Sequence, residues 1–188
     1  MTKIRYTTSD FFTTEELSRS IKFFNRKGQY KIALLFEFGS KTMLRYSDLS
    51  KLKWEDLINK ESLILKETKT KKRREITLGK TLANTIVETY NKLEKPPMSD
   101  IVFNYSIQYV NRLLKKVAIE LKIKKRASTH LFRKSGARYV WQSNDYSDQY
   151  LIKLSEILNH SSTEITRRYL GISREEIKDI YNGFDDMI

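Results

Sequence analysis

The chain has no cysteine, two prolines, six glycines and two histidines in 188 residues, and each scarcity removes a class of protein. Without cysteine there is neither a disulfide framework nor a thiolate-ligated metal, which fits a reducing cytosol. The prolines are adjacent, Pro96–Pro97, and read as a loop inside one domain. The glycines form no phosphate-cradling loop, and the acids no cluster of the kind that holds two catalytic metals. Long apolar runs are missing as well. The longest, "IALLF" (32–36), meets Glu37 at once, far short of the roughly 20 residues a membrane helix needs. The opening "MTKIRYTTSD" lacks the apolar stretch of a secretory signal, and no internal repeat or low-complexity linker occurs. A soluble, intracellular domain is the expectation that survives.

Positive charge is what the chain has in excess. Lys and Arg total 36 against 23 Asp and Glu, a net +13, with a pI near 9.7. Such an excess favours polyanions, above all nucleic acid, because neutralising phosphates releases condensed counterions. Charge alone also fits a protein that is merely basic. Hydrophobic residues at 39% and aromatics at 12% supply a core, so the chain folds.

Patterning predicts a mainly α domain with a small antiparallel β-sheet, an α+β class. "TTEELSRSIKFFNRKG" (13–28) reads as a helix capped by Thr13 or Thr14 and ended by Gly28. "QYKIALLFEFGSKTML" (29–44) is apolar nearly all round, hence a central helix. A helical turn then leads to a strand near Lys53–Leu57. "SLILKE" (62–67) and "REITLG" (74–79) predict a hairpin around a basic connection. Helices follow at 81–94, stopped by Pro96–Pro97, and at about 106–122, 129–143, 149–159, 162–170 and 173–182.

Both histidines lie in the C-terminal half. His130 and Arg133 in "HLFR" share a helix face, and Thr129 is a candidate cap. The pair then sits in a first turn, where the dipole favours an anion, and presents an imidazole and a guanidinium to one phosphate. As a bare H-x-x-R it equally suits a surface helix. In "LNHSSTEITRRYLG" (158–171), Ser161 and Glu164 form an S-x-x-E capping box, with His160 before the helix and Tyr169 in its last turn. A tyrosine hydroxyl, with an ordinary pKa of about 10, attacks only when cations and a base assist it. Arg167 and Arg168 are near in sequence. Taken alone, Tyr169 reads as an amphipathic residue at the edge of a core. Arg45 ends an apolar helix and needs an anionic partner, either Asp48 or a bound phosphate. Five of the seven residues from Lys69 to Glu75 are basic, which suits a solvated, edge-protecting turn or a finger entering a DNA groove.

Read in order, these pieces resemble the tyrosine recombinases, the phage-type integrases, whose catalytic set runs Arg, Lys, H-x-x-R, His (or Trp), Tyr. The matching positions are Arg45 in "LRYSDLSKLKW", Lys69 in "TKTKKRREITL", His130 and Arg133 in "HLFR", His160 in "LNHSS" and Tyr169 in "TRRYL". The tyrosine stands nine residues after the second histidine, the usual family spacing. The resemblance covers about residues 13–175. It departs from the family pattern at Met43 and Asn159, where glycine is usual, and at Asp48, where glutamate is usual.

The resemblance implies one catalytic domain over 1–188, with an N-terminal arm (1–12) and a C-terminal helical tail (173–188). Most members of the resembled family carry a separate N-terminal DNA-clamping domain; with about a dozen residues before the first helix none is expected here, which fits either an isolated catalytic domain or a naturally short member. It implies DNA strand exchange through a 3′-phosphotyrosyl intermediate, with no metal and no other cofactor. Tyr169 would attack the phosphate, with Arg45 and Arg133 holding its oxygens and His160 adding a hydrogen bond. His130 would accept the tyrosine proton and Lys69 would protonate the leaving oxygen, with Lys71 and Lys72 as competitors for that role. Candidate DNA contacts are Lys71, Lys72, Arg73, Lys124, Lys125 and Arg126. The partner is double-stranded DNA, bound as a tetramer on paired sites and not at a membrane; the chain, encoded by a bacterium or a phage, would be cytoplasmic and nucleoid-associated. Without DNA the chain would be a monomer. The tail after Tyr169 packs on its own domain or docks on a neighbour. The rival expectations are a non-catalytic DNA-binding module derived from a recombinase, and a type IB topoisomerase-like enzyme that relaxes supercoils.

Overall fold

The computed structural model describes residues 10–172 and 181–186. Its backbone falls into two compact units, one ending at Gly136 and the other beginning at Ala137. The class is the one expected, helices with, among the described residues, one two-stranded antiparallel sheet.

In the first unit, α1 (Thr14–Arg26) starts at a reciprocal cap. The Thr13 hydroxyl accepts from the Glu16 amide at 3.2 Å, and the Glu16 carboxylate accepts from the Thr13 amide at 2.8 Å. Thr13, not Thr14, is therefore the cap. Helix α2 (Tyr30–Thr42) is buried on almost every side, from Ile32 through Phe38, as its apolar composition requires. It packs against α1 and α4 (Lys80–Lys92). Its rings join an aromatic chain in which Phe24, Phe36 and Phe132 meet at centroid distances of 5.2 and 5.0 Å.

Two short connections depart from expectation. No strand forms at Lys53–Leu57. Trp54–Asp56 make a 3-10 turn instead, because the Asp56 carboxylate captures the Lys53 amide at 2.8 Å and the Trp54 side chain is fully buried. Only a single bridge, Lys53 to Ile101, is extended. Helix α4 ends at Lys92, before the prolines act as a direct stop. Glu94 and Lys95 take φ of 58° and 53°, a left-handed exit consistent with the exclusion of right-handed helix at the residue before Pro96.

The hairpin pairs β1 (Ser62–Lys66) with β2 (Arg73–Thr77), Ser62 opposite Thr77 and Lys66 opposite Arg73. A short helix α3 (Tyr46–Leu49) follows α2, and α5 (Ile107–Glu120) is capped by Ser106. Helix α6 (His130–Gln142) runs past the boundary between the units. Its first two turns cross α2 so closely that a Cβ on Gly136 would overlap the Ser40 carbonyl oxygen, while Gly39 faces the Phe132 side chain.

In the second unit, α7 (Asp148–Ile157) packs on α8 (Thr163–Leu170) around Leu151, Leu154, Leu158 and Leu170. The cap of α8 is Ser162, whose hydroxyl accepts from the Ile165 amide, not Ser161. Glu164 pairs with Arg168 at 3.0 Å instead of closing a capping box. The helix expected at 173–182 lies, except for its last two residues, outside the described residues. No helix among the described residues is long and apolar enough to cross a membrane.

The α2–α6 crossing yields a test. Gly136→Ala is expected to destabilise the fold by about 2 kcal/mol, the range of overpacking at a site where backbone must move. Urea unfolding measures it, and a midpoint unchanged from the parent would contradict the crossing.

Candidate functional site

The C-terminus of α2 organises the first unit's polar centre. Met43 takes φ 52° and ends the helix in the left-handed region, its amide donating to the Gly39 carbonyl. The last carbonyls of a helix need donors and carry its negative dipole end. Here they receive two arginines. Arg74 Nη2 donates to the Thr42 carbonyl at 2.6 Å, and Arg133 Nη1 donates to the Met43 carbonyl at 2.8 Å. Met43 stands where the resembled family carries glycine, and the positive φ gives the physical reason for glycine there.

Arg45 caps α3 and does not end α2. Within the chain it meets Glu67 where Asp48 was expected. Arg45 Nη1 donates to Glu67 Oε2 at 2.6 Å, and Glu67 has no exposed side-chain surface. Arg74 reaches the other oxygen, Oε1, at 3.3 Å, and the Thr70 hydroxyl donates to Oε2 at 2.7 Å. Asp48 serves a different group, accepting from the Thr68 amide at 2.8 Å. Burial lowers the Arg74 pKa, and Glu67 opposes that by favouring the charged form. Glu67 was legible in principle. It stands one residue past β1 in the same alternation as Leu63 and Leu65, and a carboxylate in that core phase must find a cation.

His130 opens α6 three residues before Arg133. Partial burial lowers its pKa below the ordinary 6.5, and the charges of Arg133, Arg45 and Lys69 lower it further. Four of the sequence-derived residues thus share one cationic field. Lys69 is exposed on the β1–β2 connection, as are Lys71, Lys72 and Arg73 near its end. The other basic stretch is less uniform. Lys124 and Arg126 are exposed, while Lys125 pairs with Glu16 at 2.5 Å and lies over the Phe11 ring.

The remaining two residues belong to the second unit. His160 follows Asn159, whose φ of 48° again falls where the family carries glycine, and asparagine is among the side chains that best tolerate it. The His160 Nδ1 lies 2.9 Å from the Thr166 hydroxyl, and its ring meets that of Tyr169 edge to face at 5.2 Å. The Tyr169 hydroxyl is shielded from solvent. Arg138 Nη1 donates to the Leu170 carbonyl at 3.2 Å, securing the end of α8, where Gly171 closes the helix at φ 78°. Arg167 and Arg168 pair with Asp148 and Glu164. Among the described residues no group of three His, Asp or Glu side chains could hold a metal ion.

A family model described as "Phage integrase family" matches residues 10–176. A probable integrase/recombinase of Bacillus subtilis, YoeC, is 30% identical over 154 residues, covering 80% of this chain and 82% of the relative. Tyrosine recombinase XerD of Listeria innocua is 32% identical over 155 residues, covering 76% of this chain and 50% of the relative. The chain thus spans most of the first relative and half of the second. The crystal structure of the XerH site-specific recombinase bound to its palindromic difH substrate, a post-cleavage complex, superposes with a TM-score of 0.70. Its identity is 16%, and the match covers 96% of this chain and 54% of that one.

The cationic field predicts a titration. His130 is expected to titrate below 6.5 and so to be neutral above that pH. Arg45→Gln and Lys69→Gln each remove a charge that opposes protonation, so each should move the value up. Proton NMR at low salt measures it, since the two imidazoles are assigned with a His160→Asn variant. A His130 pKa above 6.5, or one unmoved by both substitutions, would contradict the field.

Proposed function

The chain belongs to the phage integrase family, and on that basis we propose that it cuts and rejoins DNA at specific sites through a 3′-phosphotyrosyl intermediate. The observation that supports this most is the convergence of Arg45, Lys69, His130 and Arg133, from three separate stretches of chain, around one imidazole of lowered pKa.

In the first step the Tyr169 hydroxyl oxygen attacks the scissile phosphorus while the bond to the 5′ oxygen breaks. The tyrosine proton passes to His130, which is neutral and able to accept it. The leaving 5′ oxygen takes a proton from Lys69, so the step balances without water or metal. Arg45 and Arg133 supply planar donor forks to the non-bridging oxygens as charge accumulates there. Anchoring of Arg133 on the Met43 carbonyl and of Arg45 on Glu67 fixes one edge of each guanidinium in advance. His160 contributes a further hydrogen bond, its Nδ1 held by Thr166. A phosphotyrosine ester keeps the energy of the phosphodiester, so a 5′ hydroxyl of a partner strand reseals the DNA by the reverse step.

The substrate is double-stranded DNA, met by a chain of net charge +13. Exposed Lys71, Lys72, Arg73, Lys124 and Arg126 are the backbone contacts we assign, with Lys125 divided between that role and Glu16. Exchange of two duplexes calls for four copies, assembled on paired sites at the bacterial nucleoid. Residues 1–188 act as one catalytic domain in this scheme.

Tyr169→Phe is expected to abolish covalent adduct on a nicked suicide substrate while changing DNA affinity less than about threefold, since binding is spread over many cations. An adduct surviving in that variant removes Tyr169 as nucleophile. Lys69→Ala should slow cleavage by about 100-fold or more, the usual worth of a general acid, yet by less than about tenfold when the leaving group is a 5′-thiol that needs no proton. Equal losses on the two substrates would give Lys69 another role.

A further inference from the structure

We propose that Glu67 is a positioning residue for strand cleavage, one carboxylate that sets both Arg45 and the turn carrying Lys69; this rests on the roles assigned to those two residues above. A single oxygen makes the link. Glu67 Oε2 accepts from Arg45 Nη1 at 2.6 Å and from the Thr70 hydroxyl at 2.7 Å. The same residue closes the β1–β2 connection through its backbone, its amide donating to the Lys72 carbonyl and its carbonyl accepting from the Lys71 amide, each at 2.9 Å. On the other side of Lys69, the Thr68 amide is held by Asp48 at 2.8 Å. Lys69 therefore projects from a turn whose two flanking residues are pinned, one of them to the atom that holds Arg45.

Burial separates positioning from competition. The Glu67 side chain has no exposed surface, whereas that of Arg45 keeps 16%. An anion arriving from solvent meets the guanidinium with the carboxylate behind it. The charge count points the same way. Glu67 lies between Arg45 and Arg74, and Asp48 adds a second negative charge near Arg74, while Arg133, Lys69 and Arg45 all act on His130, so the side toward a phosphate stays cationic. Replacing the carboxylate by an amide leaves two neighbouring, largely buried cations to repel each other, and Arg45, the more exposed, is the one that moves.

The test is single-turnover formation of the covalent adduct on 5′-oxygen and 5′-thiol substrates, with melting temperature and DNA affinity measured alongside. Glu67→Gln is expected to fold, to bind DNA within about threefold of the parent, and to form adduct at least about tenfold more slowly on the oxygen substrate. The thiol should recover only part of that loss, because Arg45 stays misplaced. In an Arg45→Lys background the same change should cost less than about threefold, since the group it acts through is already altered. Thr70→Val cuts only the link to the turn, so its slowing on the oxygen substrate should be restored by the thiol, and this variant carries the test if Glu67→Gln does not fold. A parental or faster rate in Glu67→Gln, an equal loss in both backgrounds, or a Thr70→Val defect absent or indifferent to the thiol overturns the proposal. Absence of any adduct from the parent chain overturns the recombinase reading itself, and the proposal with it.

Discussion

The polar centre of the first unit depends on how α2 ends. A helix apolar nearly all round has to stop inside the protein, and its last carbonyls then need donors where water is scarce. The left-handed turn at Met43 aims the carbonyls of Thr42 and Met43 at Arg74 and Arg133, and the chain leaves the turn through Arg45. Three guanidiniums near one helix end are unstable without counter-charge; the buried carboxylate of Glu67 provides it for Arg45 and Arg74, and Asp48 adds to it at Arg74. The close α2–α6 crossing at Gly136 then brings His130 and Arg133 to the same place.

The hairpin belongs to this arrangement. Its first strand carries Leu63 and Leu65 into the core, and one step further the same face carries Glu67. The exposed connection holds basic side chains toward solvent while its base is tied to Arg45 and Asp48. A turn tied at its root and charged at its tip suits the role proposed for Lys69, delivery of a proton to the leaving 5′ oxygen.

Much of the fold could be read from local pattern. The α1 cap, the buried α2, the hairpin and the glycine end of α8 each followed from residues a few positions apart. Errors fell where a side chain captured a nearby amide. Asp56 turned an apparent strand into a 3-10 turn, and Ser162 displaced Ser161 as the cap. The glycine-to-Met43 and glycine-to-Asn159 departures looked arbitrary until both proved to be positive-φ positions. That Glu67 needs a cation could be read from its place in the alternation; that Arg45 is one of those cations could not. Asp48 is nearer in sequence, but a contact between residues 22 positions apart is set by packing and not by local pattern.

The proposed reaction turns on Tyr169 becoming esterified to DNA. The most direct measurement is to trap the parent chain on a nicked suicide duplex, digest both components, and sequence the nucleotide-bearing peptide by mass spectrometry. The expected result is a 3′-phosphoryl nucleotide on Tyr169, within the stretch 158–171. A nucleotide on any other residue, or attachment through a 5′ phosphate, would contradict it.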